Sequence, residues 1–362
     1  MINLSGVQIC FLAGTLGQGG AERQLYYILR SVSQLGIKPQ VLCFSRGEFW
    51  EDKIRELGIS VTWVGQHKTK VLRLFRILSL LRANPPDIIQ SQHAYTNLYA
   101  AITARLLHTR EIGAIRSDAI HEIHDIGILG YPSLSMPRIV IANSQSAIEN
   151  AINARVPAKH LHYLPNVVDT EQFRPRIKRE KNAILHIIAV GSLEKPKRFD
   201  RFIRAISRLR YLGKQIKGIV IGDGALRTQL EQQVLDLGFG TLDIEFKGRI
   251  SDMAPVYRDG DILVSTSDWE GTPNVVLEAM ASGMPVVATN VGGIREIVHH
   301  GETGFLCEPE NEKTLTDNIL RLIDDTQLRS DMGCRAREHV VGHHSLSHLP
   351  LALGELYKVV FS

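Results

Sequence analysis

Short aliphatic runs alternate with helix-length amphipathic stretches along this 362-residue chain, and that alternation constrains its fold more than any other feature. In the first half, Gln8–Ala13, Pro39–Phe44, Ser60–Val64, Asp87–Ser91, Ile112–Ile115 and Arg138–Ala142 read as buried strands. Helix-like patterns over 22–35, 71–82 and 98–107 lie between them, so the strands form a parallel sheet covered on both faces. The pattern pauses at Leu164-Pro-Asn-Val-Val-Asp169 and the charged stretch 174–182. It restarts with strands at Leu185–Val190, Gly218–Ile221, Leu242–Phe246, Asp261–Ser265, Pro285–Thr289 and Gly304–Leu306, separated by helices over 201–212, 226–237 and 273–282. The expected architecture is two doubly wound α/β domains, 1–172 and 173–344, with a final segment 345–362 returning to complete the first. Residues 117–137 have no clear strand or long helix and are expected to form a mobile loop.

Composition narrows the class. A 44% hydrophobic content excludes a disordered or collagen-like chain, and no run approaches the ~18 apolar residues of a membrane span. The start runs straight into a strand without a basic segment, so no secretory signal is expected. Cys10, Cys43, Cys307 and Cys334 are far apart, as reduced core residues of a cytoplasmic protein would be. Residues 1–175 carry 18 Lys and Arg against 13 Asp and Glu; the remainder carries 24 against 25. The basic first half suggests an acidic partner, but no reading motif supports nucleic-acid binding.

Three strand-to-helix turns hold chemistry-bearing residues. Gly14-Thr-Leu-Gly-Gln-Gly-Gly-Ala-Glu-Arg23 fits a phosphate cradle or a plain tight turn, and matches neither the dinucleotide fingerprint nor the P-loop. Val190-Gly-Ser-Leu-Glu-Lys-Pro-Lys-Arg-Phe199 puts Lys195, Lys197 and Arg198 at a sheet's carboxyl edge, where anions dock, or forms a solvated basic turn. The third is Ser265-Thr-Ser-Asp-Trp-Glu-Gly-Thr-Pro-Asn-Val-Val-Leu-Glu-Ala-Met-Ala-Ser-Gly-Met-Pro-Val-Val-Ala288. There Pro273 fits a first helical turn, and Thr272–Val276 would aim amides at an anion. Glu270 precedes that helix, and Glu278 lies about 7.5 Å along its axis from Pro273.

With these residues the chain resembles the retaining glycosyltransferases of family 4. Supporting stretches are Gly19-Gly20-Ala21-Glu22-Arg23, Ala142-Asn143-Ser144, Pro165-Asn166 with Asp169, Gly191 with Leu193 and Lys197, Gly222-Asp223-Gly224, and Thr289-Asn-Val-Gly-Gly293 with Glu296. The resemblance implies a GT-B fold, two Rossmann-like domains facing a cleft, and a nucleotide-sugar donor with a glycan or lipid-linked acceptor. By it, Gly19 and Gly20 lie against the donor diphosphate and acceptor, and Lys197 neutralises the leaving group. Glu270 binds the transferred sugar, the backbone of Gly271, Thr272, Pro273, Asn274, Val275 and Val276 meets the phosphate, and Glu278 binds the ribose. No cofactor and no metal are expected for the chemical step.

Three positions depart from the family pattern. Ser192 stands where an arginine is usual, with Lys195 or Arg198 as its substitute. His93 is one step from the usual first-domain histidine, where Gln92 falls. Val167 replaces the glycine of Pro-Asn-Gly. His93 and Arg116, both just after strands, are candidate acceptor ligands. Asp259-Gly-Asp261 resembles a metal signature but opens a strand, so it reads as structural; His299, His300, His339, His343, His344 and His348 read as surface residues, and His121-Glu-Ile-His124 as an exposed turn. The basic, apolar stretch 67–82 is either a covering helix or a helix lying on an anionic membrane. The expected protein is a cytoplasmic hexosyltransferase, peripheral at the inner membrane face if 67–82 docks there. A catalytically silent scaffold, or an epimerase or phosphorylase on the same fold, is the competing reading.

Overall fold

A computed structural model describes residues 4–66, 69–176 and 184–361. The chain divides into two compact units, Met1–Val167 with Ser347–Ser362, and Val168–Leu346. The divisions thus fall at 167/168 and 346/347, close to the expected 172/173 and 344/345.

In the first unit, β1 (Gln8–Ala13) leads to α1 (Gly20–Gln34), β2 (Lys38–Cys43), α2 (Phe49–Glu56), β3 (Ser60–Trp63) and α3 (Lys70–Leu81). Then come β4 (Ile88–Ser91), α4 (Asn97–Leu107), β5 (Arg110–Ile115), α5 (Ala119–Ile126), α6 (Gly130–Ser135), β6 (Val140–Ala142), α7 (Gln145–Asn153) and β7 (Leu161–Tyr163). The strands form a parallel sheet in the order β3-β2-β1-β4-β5-β6-β7. Residues on successive strands and the covering helices make the core, with Cys10, Leu12, Leu42 and Ile89 meeting Ile77, Leu81 and Ala100.

The expected loop over 117–137 is instead mostly helical. Asp118 accepts hydrogen bonds from the Ile120 and His121 amides and starts α5, and Ala119 and Leu134 are buried in the core. Only two short helices fit here, and their apolar spacing is too brief to register as a period. His121 and His124 therefore lie on a helix, not in a turn. β7 escapes sequence reading because its three residues are only partly buried or exposed.

In the second unit, β8 (Leu185–Val190) leads to α8 (Phe199–Tyr211), β9 (Ile216–Ile221), α9 (Arg227–Asp236), β10 (Ile244–Gly248), α10 (Ala254–Asp259) and β11 (Ile262–Ser265). The chain continues through α11 (Asn274–Ala281), β12 (Val286–Thr289), α12 (Ile294–Ile297), β13 (Gly304–Cys307), α13 (Glu312–Asp324) and α14 (Thr326–His343). The parallel strands run β10-β9-β8-β11-β12-β13. One face buries Phe202, Ile206 and Ile319, and the other buries Met253, Leu277 and Met280. The last helix, α15 (Leu349–Phe361), belongs to the first unit, where it packs on α1.

Both sheets reverse direction after three strands, between β1 and β4 and between β8 and β11. Open α/β sheets bind ligands at such reversals, outside the carboxyl ends of the strands.

Candidate functional site

In the second unit the two loops at that reversal are stitched together by hydrogen bonds to backbone carbonyls. The Thr266 hydroxyl donates to the carbonyls of Lys197 (3.0 Å) and Arg198 (2.8 Å), and the Asp268 amide donates to the Pro196 carbonyl (2.8 Å). This brings Lys197, from the loop after β8, against Glu270, from the loop after β11. Lys197 Nζ lies 2.5 Å from Glu270 Oε1, and the Ser267 hydroxyl donates to the same oxygen at 2.7 Å. The lysine side chain is 28% exposed and the carboxylate 12%, so a ligand can reach a charge pair that is otherwise shielded from water.

Arg198, expected as a donor-binding cation, is held by two carboxylates. Its backbone is left-handed, with φ of 49°. Its guanidinium is engaged by Asp200 (3.0 and 3.1 Å) and Asp268 (3.3 and 3.4 Å), and the Asp200 hydrogen bonds push its pKa upward. Arg201, buried on α8, donates to Asp268 at 2.6 Å and to the Thr266 carbonyl at 3.2 Å. Two arginines therefore hold Asp268, and through it the turn that carries Glu270. Sequence reasoning missed Arg201 and Asp268. The available signal was an arginine on the apolar face of a helix, a position that requires a fixed partner. Ser192 and Lys195 are exposed in this loop.

The helix start behind Glu270 begins one residue later than expected. Pro273 is the N-cap of α11 rather than part of its first turn. The Val276 amide, expected to face phosphate, already donates to the Pro273 carbonyl at 3.2 Å, so Val276 contributes packing. Thr272, Asn274 and Glu278 are buried, and Val275 is half-buried. The Gly271 carbonyl accepts from the Gly293 amide at 3.1 Å, and Thr289 donates to the Ser267 carbonyl at 2.6 Å. Gly292 is required there: its φ is +48°, and a Cβ would sit 1.8 Å from the Glu270 carbonyl oxygen.

In the first unit, Gly19 caps α1 and Gly20 begins it. The Glu22 carboxylate lies against Gly19, so the α1 start already faces a negative group. His93, on the loop after β4, spans the same turn. Its Nδ1 accepts from the Gly14 amide (3.3 Å) and its Nε2 lies 3.0 Å from Glu22 Oε1. A neutral ring that accepts at Nδ1 must carry its proton at Nε2 and donate to Glu22. Both ring nitrogens are thus engaged within the fold, and Tyr95 stacks on the ring at 5.2 Å. Glu48, not foreseen from sequence, fastens the other end of the turn by accepting from the Thr15 hydroxyl (2.8 Å) and the Leu16 amide. Arg116 lies beyond β5 and donates to Gln92 Oε1 at 3.3 Å. At the substituted Val167, Gln24 of α1 grips the backbone through bonds of 2.7 and 3.0 Å.

The remaining candidates sort by burial. Asp261 accepts from the His186 amide at 2.7 Å, a structural role. The histidines are not all surface residues: His344 is buried, and His339 stacks on His343 (4.7 Å) and meets His299 edge-on (4.5 Å). Burial pushes His339 down to about 4. Among the described residues no group of His, Cys, Asp and Glu is arranged to hold a metal. Cys10, Cys43 and Cys307 are buried as expected, whereas Cys334 is exposed on α14. No helix among the described residues is long and apolar enough to cross a membrane.

Comparison with known proteins matches the same two halves. Residues 18–172 fit the family model "Glycosyltransferase Family 4", and 169–339 fit "Glycosyl transferases group 1". The N-acetyl-alpha-D-glucosaminyl L-malate synthase of Bacillus anthracis is 28% identical over 273 residues, 70% of each chain. The D-inositol 3-phosphate glycosyltransferase of Paenarthrobacter aurescens (strain TC1) is 30% identical over 187 residues, 48% of this chain and 46% of that protein. Among solved structures, Anabaena Alr3699/HepE in complex with UDP-glucose aligns with a TM-score of 0.86 at 21% identity, covering 97% of this chain and 99% of that one. That likeness extends over both sheets and identifies the shared architecture as GT-B.

Proposed function

The chain belongs to glycosyltransferase family 4, and from that premise we propose that it moves a hexose-type sugar from a UDP- or GDP-sugar to a glycan or lipid-linked acceptor with retention at the anomeric carbon. The observation that carries this reading is the Lys197–Glu270 pair at the carboxyl ends of β8 and β11, with the α11 start beside it. Breaking the anomeric bond builds negative charge on the nucleoside diphosphate. A lysine and helix-start amides stabilise that charge as it develops, and in this reading they do so without a metal ion.

Donor binding exchanges partners. Glu270 leaves Lys197 to accept hydrogen bonds from sugar hydroxyls, and the freed ammonium meets the phosphates. Glu278 takes the ribose. The acceptor hydroxyl attacks from the face the diphosphate leaves, and the departing phosphate oxygen takes its proton, so no enzyme-bound sugar forms. The UDP and UDP-glucose complexes of the Anabaena protein favour a uridine donor.

The test is nucleoside diphosphate release from a panel of UDP- and GDP-sugars, with product stereochemistry read by NMR. Glu270→Ala and Lys197→Ala are each expected to lower turnover at least 100-fold, about 2.7 kcal/mol of transition-state stabilisation. Wild-type turnover in both variants would remove these roles. A requirement for free phosphate would indicate a phosphorylase, an epimerised donor without transfer an epimerase, and no turnover with any donor a silent scaffold.

A membrane-surface role for α3 has its own supporting observation. The helix buries Ile77 and Leu81 yet exposes Val71, Leu72 and Phe75 beside Lys70 and Arg76. His67 and Lys68 of the expected stretch lie outside the described residues. An exposed apolar face flanked by cations suits an anionic bilayer, which would place the protein at the inner face of a membrane. Co-sedimentation with anionic liposomes at low salt, weakened by Phe75→Ser, is the expected result; a wild type that stays in the supernatant excludes it.

A further inference from the structure

We propose that the carboxyl ends of β4 and β5 bind the acceptor through an anionic group, a carboxylate or a phosphate, with Arg116 as its anchor. This rests on the reading above that the first unit receives the acceptor.

Arg116 leaves β5 next to the strand-order reversal, two strands from the glycine-rich turn. Its side chain is half-buried, and its hydrogen bonding is incomplete. Nη2 donates to Gln92 Oε1 at a long 3.3 Å, and the buried Nε has no hydrogen-bond partner. Among the described residues the guanidinium makes no ion pair with a carboxylate. A half-buried cation in this condition is costly unless something else completes it.

Glu122 acts on Arg116 electrostatically but makes no ion pair with it. Its Oε1 accepts from the backbone amides of Arg116 (3.0 Å) and Ser117 (2.9 Å), and its buried Oε2 has no hydrogen-bond partner. Burial pushes this carboxyl up to about 7 and Arg116 down to about 10.

Neighbouring groups fix the arginine rather than quench it. Gln92 bridges it to α1, donating to the Ala21 carbonyl at 2.6 Å while accepting from Arg116. On the other side Tyr357 donates to Gln90 Oε1 at 2.8 Å, and Gln90 Nε2 is a second buried donor without a partner. A planar guanidinium with donors to spare matches the oxygen pair of a carboxylate or phosphate, and the match is geometric as well as electrostatic. Gln92 places that anion beside the turn that runs from β1 into α1. An acceptor carrying such a group near its hydroxyl is thereby oriented, whereas a neutral sugar leaves the arginine uncompensated.

The experiment is calorimetric titration of the full-length protein with glycerol 3-phosphate, glycerate and glycerol, and separately with UDP and GDP. Binding of at least one of the two anions, and not of glycerol, is expected; which one binds identifies phosphate or carboxylate. Arg116→Gln should weaken that binding at least tenfold and leave nucleotide binding unchanged. Gln92→Glu, which sets a fixed carboxylate opposite the guanidinium, should also abolish anion binding, and it serves if Arg116→Gln does not fold. Equal anion binding in either variant and the wild type overturns the proposal, as does a wild type that binds neither anion. Failure of the wild type to bind any nucleotide would count against the donor reading instead, so the two failures are distinct.

Discussion

Two half-buried groups make stability depend on pH in opposite directions. The Glu122 carboxyl, raised to about 7 from 4.5 by burial, keeps its proton in the folded state where the unfolded chain has lost it. Its contribution is therefore fully present below about pH 4.5 and lost as pH rises through about 7. His339, lowered to about 4 from 6.5 by burial and by His299, stays neutral where the unfolded chain is charged. That contribution is present above 6.5 and lost as pH falls toward 4. The expected outcome for Glu122→Gln is a smaller fall in urea-derived stability between about pH 5 and about pH 8, by up to about 3 kcal/mol. An unchanged fall would show that Glu122 titrates as an exposed carboxyl. Such shifts lie outside what a sequence can show, because they depend on which groups burial brings together. The same holds for Arg198, whose basic turn was legible but whose capture by Asp200 and Asp268 was not. That Lys197 and Glu270 both stand in loops at the carboxyl ends of strands was legible, because each follows an apolar run that leads into a helix-like stretch.

At the scale of elements, the turn that carries Glu270 depends on a backbone contact from another loop. Gly292 lies over the Glu270 carbonyl, so Gly292→Ala must displace one of the two chains. Misplacing a catalytic group by about 1 Å can cost 100-fold in rate, and kcat should fall by about that factor. Gly301→Ala is the control: its φ of +81° carries the same backbone strain, but nothing lies within 4 Å of the added methyl. That variant should lose about 1 kcal/mol of stability and keep its kcat. If both variants lose equal activity, strain rather than the Glu270 contact is responsible. Elements were legible wherever a full apolar period was available, as in β1 and β8, whose bounds agree with the sequence reading. They were not legible where helices are short, as in α5 and α6, because burial of Ala119 and Leu134 is decided by the sheet they cover.

At the scale of the molecule, the last helix belongs to a unit from which it is separated in sequence by the whole second unit. It buries Leu349, Leu353, Leu356 and Tyr357, donates from Tyr357 to Gln90, and accepts at the Val360 carbonyl from Arg110 at 3.0 Å. Each large apolar side chain contributes roughly 1.5–3 kcal/mol on burial, so the four together match the marginal stability of a domain. The second unit takes none of its core from α15; Phe202, Ile206, Leu277 and Met280 come from its own helices. Deleting residues 347–362 should therefore abolish the cooperative transition of the first unit and leave that of the second. The nucleotide serves as the label: at ~100 times its dissociation constant it adds about 2.7 kcal/mol to whichever unit binds it. Scanning calorimetry of the truncated chain should show one surviving transition that still rises with the nucleotide bound by the full-length protein. A surviving transition that ignores the nucleotide would mean that the Lys197–Glu270 unit does not bind the donor alone, and loss of every transition would mean that its core depends on α15 after all.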